Sequence, residues 1–328
     1  MSRDDLQPRP LAQPWLGPPR SVPLADDHAV DLRGDALVGR RVALLVCGGI
    51  AAFKAPLTIR ALRRQGAQVT VFASPQALRY VTTDALEWAS LTPVVTTLSP
   101  QAEHLSGACP FDAYLVAPAT YNTINKLAAG IADTVLTATL ASAIGRMEQG
   151  RAAVLVAPTM HGSMHNAILT ASLERLQSLG VRVIPPRDAY GKDNIPEESV
   201  LVAEVCAALP EAPFRSRQFV VVGGRDPVGQ TVAEDLVRRG GRVLHVQLAC
   251  ALEPSPITQP LVVADGARAR ELVRAAPGPW DAVIDATGGS LGALATLHVA
   301  TKDGDMFSAD GSEVDMPALL AGIRESLT

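Results

Sequence analysis

Four clusters of small and polar residues each follow a short apolar run, and anion binding is the chemistry such clusters can do. Gly48, Gly49, Ile50 and Ala51 follow VALLV, and Ser74 follows QVTVFA. Pro118, Ala119, Thr120, Asn122 and Thr123 follow the run ending at Ala117, and Pro158 to His161 follow the run ending at Ala157. Small side chains let backbone N–H groups approach a phosphate, and the N-terminus of a following helix favours its charge. Any one of these turns is explained as well by the ordinary use of Gly and Ser between a strand and a helix. Four of them on one sheet edge favour a binding crevice. Two absences narrow the ligand. The first turn reads CGGIA, not GxGxxG, and no acidic residue closes the second strand, where a nicotinamide dinucleotide's ribose would be held. A mononucleotide fits this pattern better than a dinucleotide.

The elements that must position these clusters alternate. Apolar runs over 42–46, 68–72, 112–116, 152–156 and 181–184 read as strands. Helical periodicity falls over 50–66, with Ile50, Phe53, Leu57, Ala61 and Leu62 on one face, and near 121–130, 133–145, 166–179 and 197–208. Strands alternating with helices make βαβ units, so the expected fold class is α/β: a flavodoxin-like, Rossmann-type parallel sheet with helices on both faces. In such sheets ligands bind outside the carboxyl ends of the strands, where the four clusters fall. A second, smaller α/β series follows. It has strands over 219–222, 242–246 and 282–284, helices over 227–239 and 265–275, a hairpin turning at Asp303–Gly304, and a closing helix over 316–326. The domains expected are therefore a Pro-rich extension (1–39), a ligand-binding domain (40–208), a linker (209–217) and a second α/β domain (218–328).

Composition agrees with this and excludes several classes. Hydrophobic residues make up 48% and aromatics 4%, which suits cores of Ala, Val, Leu and Ile. A net charge of −4 without long like-charged runs gives no footprint for nucleic acid or a membrane surface. The four cysteines form no CxxC pair, so no metal site is expected and a reduced, cytoplasmic location is. The first 24 residues lack the apolar core of a signal peptide, and no stretch reaches the ~20 apolar residues of a membrane span.

Three blocks carry a family resemblance. CGGIAAFKAPLTIRALRRQGAQVTVFAS resembles the opening GSIAAYK segment of the homo-oligomeric flavin-containing cysteine decarboxylases. APATYNTINKLAAGIADTVLTATL resembles their PATANTIAK–GIAD block, and APTMHGSMHNAILTASLERLQSLGVRVIPP their PAMN-xx-M block. Order and spacing agree over about half the chain. The resemblance implies FMN as cofactor, a trimer or multiple of trimers with FMN at the subunit interface, and a small-molecule or peptide thiol carboxylate as substrate. It carries the cofactor role onto Gly48, Gly49, Ile50, Ala51, Ser74, Pro118, Ala119, Thr120, Asn122, Thr123 and Ser142, and the substrate role onto Asn125, Met160, His161 and Met164. His104, in Glu103-His104-Leu105-Ser106, matches the family's catalytic histidine. The implied chemistry needs both a flavin and a base. Oxidation of the substrate to a thioaldehyde creates an electron sink for loss of the carboxylate, and His104 accepts the thiol proton.

The chain departs from the pattern at named positions. His161 stands where the family has the PAMN asparagine, a carboxylate-binding group. Tyr190 stands where the flap has a cysteine that protonates the enethiolate in the pantothenate-pathway members, and the flap's GRM is absent. His104, His161 and Tyr190 are thus the candidate catalytic residues, and the substrate is phosphopantothenoylcysteine-like or a peptide C-terminal cysteine. A flavin oxidoreductase acting on another substrate and a non-catalytic flavin-binding scaffold or regulatory protein remain as alternatives. FVVVGGRDPVGQTVAEDLVRRGGRVLHV resembles a shortened opening of phosphopantothenate–cysteine ligase domains, whose SSGKMG stretch is missing, which implies a degenerate ligase-like domain. Gly223, Gly224 and Arg225 could bind a phosphate or simply form a tight turn.

Overall fold

The computed structural model of the chain describes residues 29–105, 109–189, 192–302, 305–308 and 323. The expected extension over 1–28, Tyr190, the turn at Asp303–Gly304 and the closing helix apart from Ile323 lie outside the described residues.

Two parallel sheets organise the chain. The first comprises β1 (Arg41–Val46), β2 (Gln68–Ala73), β3 (Ala113–Ala119), β4 (Ala153–Pro158) and β5 (Arg182–Val183), in the order β2-β1-β3-β4-β5. Strand β1 lies between β2, with Val46 opposite Ala73, and β3, with Leu45 opposite Val116. Every residue of β3 and β4 is buried, as an apolar parallel strand covered on both faces must be. Alternate residues feed two cores. Val42, Leu44, Leu115 and Leu155 pack under α1 (Ala55–Arg63), α2 (Thr83–Ser90) and α6 (Glu198–Ala208). Ala43, Leu45, Tyr114 and Val154 pack under α3 (Tyr121–Ala128), α4 (Val135–Glu148) and α5 (Ala167–Ser178).

The second sheet contains β8 (Gln218–Gly223), β9 (Arg242–Leu248), β10 (Leu261–Val263), β11 (Ala282–Ala286), β12 (Leu297–Lys302) and β13 (Asp305–Ser308). Its order is β10-β9-β8-β11-β12-β13, with only the β12–β13 pair antiparallel. Helices α7 (Val228–Arg238) and α8 (Gly266–Ala275) cover it. A separate two-stranded hairpin, β6 (Arg187–Ala189) and β7 (Lys192–Asn194), follows β5. Among the described residues no helix is long and apolar enough to cross a membrane.

The first helix departs from expectation. A 3-10 turn over Ile50–Lys54 precedes α1, which begins at Ala55 with Pro56 in its first turn. Three residues per turn followed by 3.6 shifts the phase of the buried face. Ala51, Ala52, Ala55, Thr58, Ile59 and Leu62 face the core, while Ile50, Phe53 and Leu57 are 69%, 56% and 55% exposed. Both domain edges are also better anchored than a linker reading implies. Leu37 is fully buried in the first core. Phe214 is buried in the second, edge-on to Phe219 at 5.3 Å. Ion pairs tie the units together: Arg239, also held by Asp235 of its own helix at 2.9 Å, meets Asp35 at 2.8 Å, and Arg40 pairs with Glu211 of the connecting segment.

Candidate functional site

The strand ends of the first sheet open into one cleft of ≈ 1300 Å³. It lies where the strand order reverses. The chain leaves β1 toward β2 on one side and returns to β3 on the other, so the connections diverge and leave a crevice. Eleven of the sequence-derived residues line it together: Gly48, Gly49, Ile50, Ala51, Ser74, Thr120, Asn122, Thr123, Met160, His161 and Met164.

Local chemistry fixes each wall. Gly48 is required by close approach, because a Cβ there would sit 2.2 Å from the Cβ of Gln76. Gly49, in extended conformation, precedes the 3-10 turn, and a methyl added there would come no nearer than 3.5 Å to any neighbour, the first being Thr120 Cγ2. The Ser74 hydroxyl accepts from the Ala77 N–H at 3.1 Å, which leaves its own proton free to donate into the cleft. Thr120 precedes α3, and its Oγ1 lies 3.2 Å from Thr123 Oγ1, which accepts from Cys47 Sγ at 3.2 Å. Burial pushes the Cys47 thiol up, so this residue supports the threonines and offers no thiolate. His161 precedes a short 3-10 turn, Gly162–Met164, and its Nδ1 accepts from the Ser163 N–H at 3.1 Å.

Sequence reasoning missed three contributions. Thr96, Thr97 and Leu98 enter from the loop after α2, held to the sheet by the Phe72–Val95 bridge. Thr134 and Thr137 cap the start of α4 reciprocally and face the cleft. Lys54, Lys126 and Arg187 bring cationic groups, paired with Glu198 at 3.5 Å, Asp133 at 2.6 Å and Glu197 at 3.8 Å. Lys126 holds the exposed Asp133 carboxyl below the usual carboxylate range. The T-x-x-T spacing before α4 was the one local signal for this group.

Five expected site residues are not in the lining. Pro118 and Ala119 lie just behind it, at the end of β3. Ser142 sits on α4 one turn beyond Ala138, past the end of the cleft. Asn125 joins two helices: its Nδ2 donates to Tyr121 O at 2.8 Å, and its Oδ1 accepts from Ser172 Oγ at 2.6 Å. His104 lies in the turn before β3, off the cleft of its own chain, with Nδ1 buried and without a partner.

A mononucleotide flavin fits this lining. The volume exceeds the ~300–1,000 Å³ of ordinary ligand pockets. Ser74 and Thr120 supply hydroxyl donors at two strand ends, and the uncrowded backbone at Gly49 leaves room for a phosphate. Ile50, Met160, Met164 and Leu98 supply apolar surface for a planar ring.

A 2-1-3-4-5 parallel sheet with its crevice at the β1/β3 reversal defines a flavodoxin-like fold. Within that class the chain belongs to the Flavoprotein family, whose model matches residues 33–210. Among similar curated proteins are two coenzyme A biosynthesis bifunctional proteins CoaBC. That of Thermococcus kodakarensis is 32% identical over 232 residues, 64% of this chain and 56% of that protein. That of Bacillus subtilis is 32% identical over 280 residues, 76% of this chain and 67% of that protein. The chain thus spans little more than half of the Thermococcus relative. Solved structures similar to part of it include the FMN-dependent cysteine decarboxylase SpaF, at 24% identity and TM-score 0.43 over 50% of this chain and 95% of that one. The peptidyl-cysteine decarboxylase EpiD matches at 23% identity and TM-score 0.41, over 48% and 93%.

Proposed function

We propose that the protein is an FMN-dependent decarboxylase acting on a cysteine-like thiol carboxylate. The observation that carries the reading is the convergence of all three family-like blocks on one cleft. The GGIA turn, the PATYNT turn and the PTMH turn are far apart in sequence and line the same volume. Bound FMN would accept the electrons removed from the thiol-bearing carbon, and the residues of the chain would do the rest. Ser74, Thr120 and the backbone at Gly49 hold the phosphate, Asn122 hydrogen-bonds the flavin ring, and Met160 and Met164 shield it from water. His161 positions the substrate carboxylate, and His104 takes the thiol proton.

His104 lies off the cleft of its own chain. The reading therefore places it in the cleft of a neighbouring subunit of a trimer, where the exposed Ile50, Phe53 and Leu57 would also be covered. The domain beyond residue 217 is read as a ligase-like unit without ligase activity. The deciding experiment purifies the full chain and records its spectrum with mass spectrometry of any extracted ligand. It then assays carbon dioxide release from phosphopantothenoylcysteine and from a peptide ending in cysteine. A colourless protein that also ignores added FMN would overturn the reading, and bound FMN with no carbon dioxide from either substrate would remove the decarboxylase half of it.

A further inference from the structure

We infer that the buried Cys47 is a positioning residue for the cofactor: through Thr123 it orients the Thr120 hydroxyl as a donor into the cleft, and so sets the preference for a phosphorylated over an unphosphorylated flavin. The inference rests on the FMN reading for the identity of the ligand, though not for the direction of the hydrogen bonds.

Cys47 follows β1 and is 1% exposed. Burial pushes its thiol up, so the sulfur keeps its proton at neutral pH and donates it to Thr123 Oγ1 at 3.2 Å. Thr123 is itself buried, and leaving its own proton unpaired there would cost stability. Thr120 Oγ1, 3.2 Å away, takes that proton. Distance alone allows either hydroxyl to donate, and the thiol decides between them. The reverse order would hand the Thr123 proton to sulfur, a weaker acceptor than oxygen, and strand the thiol proton. Thr120 is therefore an acceptor within the protein. It is the N-cap of α3, yet its side chain makes no bond to that helix, and it borders the cleft. Its proton has two takers: the Cys47 sulfur, which lies within its reach, and a ligand oxygen in the cleft. A charged phosphate oxygen outcompetes a neutral sulfur. Ser74, on the next strand end, is set the same way by the Ala77 N–H. Both hydroxyls thus present protons, which suits an acceptor-only group such as a phosphate.

Two measurements on the full chain, stripped of flavin, test the inference. In the first, fluorescence titrations compare FMN with riboflavin, which lacks the phosphate, and the ratio of their affinities is the readout. Thr120→Val is expected to lower the preference for FMN by roughly 10- to 100-fold, the worth of a hydrogen bond to a charged group. Cys47→Ala is expected to lower it by roughly 3- to 10-fold, the worth of a neutral one. Cys47→Ser, which still donates, keeps the preference, and Cys47→Ala adds nothing further in a Thr120→Val background. A packing role alone would weaken both flavins equally, so an unmoved ratio in Cys47→Ala, or Cys47→Ser behaving like Cys47→Ala, overturns the inference. In the second, infrared spectroscopy reads the S–H stretch of Cys47, identified among the four cysteines by its loss in Cys47→Ser. The band is expected at the lower frequency of a donating thiol, returning upward in Thr123→Val. A band unmoved by Thr123→Val overturns the inference whatever the flavins do. A wild type that binds neither flavin removes the FMN reading and this inference together, whereas FMN binding with an unmoved ratio removes this inference alone.

Discussion

The tightest constraint at the cleft is Gly48, and Gly48→Ala should damage the site through the fold. The added methyl would lie 2.2 Å from Gln76 Cβ and 3.1 and 3.2 Å from the Gln76 backbone carbon and Cα. A flexible side-chain tip could swing away from such a contact, but a Cβ and its backbone cannot. The β1 or β2 turn must therefore move as a body. Overpacking of this kind costs about 1–3 kcal/mol, and a backbone clash belongs in the upper half of that range. For a domain of this size that is a fall of roughly 4–12 °C in Tm. Because Ser74 and Gln76 border the same cleft, FMN affinity should fall with it. Gly49→Ser is the matched control. Its Cβ would meet nothing nearer than 3.5 Å, and its extended φ of −122° suits any residue. It also places a preferred hydroxyl ahead of the 3-10 turn, where the resembled GSIA segment has one, so binding should hold or tighten. Gln76→Ala should not rescue Gly48→Ala, since the colliding Cβ remains, whereas Gln76→Gly should recover part of the loss. Thermal melts and flavin-fluorescence titrations of the single variants and the double mutants supply the numbers. A Gly48→Ala protein with wild-type Tm and FMN affinity, or one rescued equally by Gln76→Ala, would refute the steric argument.

Other predictions follow from the same geometry. Asn122→Trp, at an exposed cleft position, should abolish FMN binding while the circular dichroism spectrum and Tm stay near wild type. His104→Asn should keep FMN and lose turnover, and mixing refolded His104→Asn with Asn122→Trp subunits should restore activity if a neighbour supplies His104. Absence of complementation from proven mixed trimers would place His104 elsewhere. Burial pushes the His245 imidazole pKa down, against the weaker opposing effects of Gln247 and Glu234. The unfolded chain therefore takes up a proton that the folded domain resists, and this contribution to stability is lost as pH falls below the ordinary imidazole value near ~6.5. The urea midpoint of the C-terminal domain should drop between pH 7.5 and 5.5, and by less in His245→Gln. An equal drop in both would assign the pH dependence to other groups.

Much of this organisation is legible in the chain because parallel strands are written as apolar runs. Val42–Val46, Gln68–Phe72 and the rest appear where expected, and the small residues after them mark the cleft edge. What is not legible has local physical causes. The hairpin of β6 and β7 is polar and three residues per strand, so it has no period to read. Strand β10 is also three residues long, and α2 has eight residues with a sharp cap at Thr82. The buried face of the first helix escapes a periodicity reading because the switch from 3-10 to α at Pro56 has no hydrophobic signature. Thr96 to Leu98 reach the cleft only because Val95 pairs with Phe72, a tertiary event. The family motif assigns Asn125 to substrate, but its i−4 bond to Tyr121 and its contact with Ser172 turn it toward α5.

The two sheets use the same architecture to opposite ends. At the first, the polar groups beyond the strands are spread around an open volume. At the second, several of them bond one another, although Gln247 Oε1 is buried without a partner. Asp285 is fully buried at the end of β11, and its carboxylate accepts from the Thr287 N–H at 2.9 Å, the Leu291 N–H at 2.8 Å and the Thr287 hydroxyl at 2.5 Å. Gln247 crosses from β9 to bond the Gly224 carbonyl, and its Oε1 tip fills the space beside Gly223, 2.2 Å from where a Cβ would stand. Asp226, two residues ahead of α7's first residue, accepts from the Val228 N–H at 3.0 Å, where an incoming phosphate would need the N–H groups for itself. The glycines after β8 therefore serve packing more than ligand approach: a Cβ on Gly229 would lie 2.3 Å from Gly223 Cα, and one on Gly224 2.9 Å from the Ala286 carbonyl. A crevice whose carboxylates already hold the nearby N–H groups has less to offer an anion, whereas the first crevice keeps Ser74, Thr120 and Asn122 at its surface. The strand orders differ as well, 2-1-3-4-5 in the first sheet against 3-2-1-4-5-6 in the second, and together these differences support placing the proposed chemistry in the N-terminal domain.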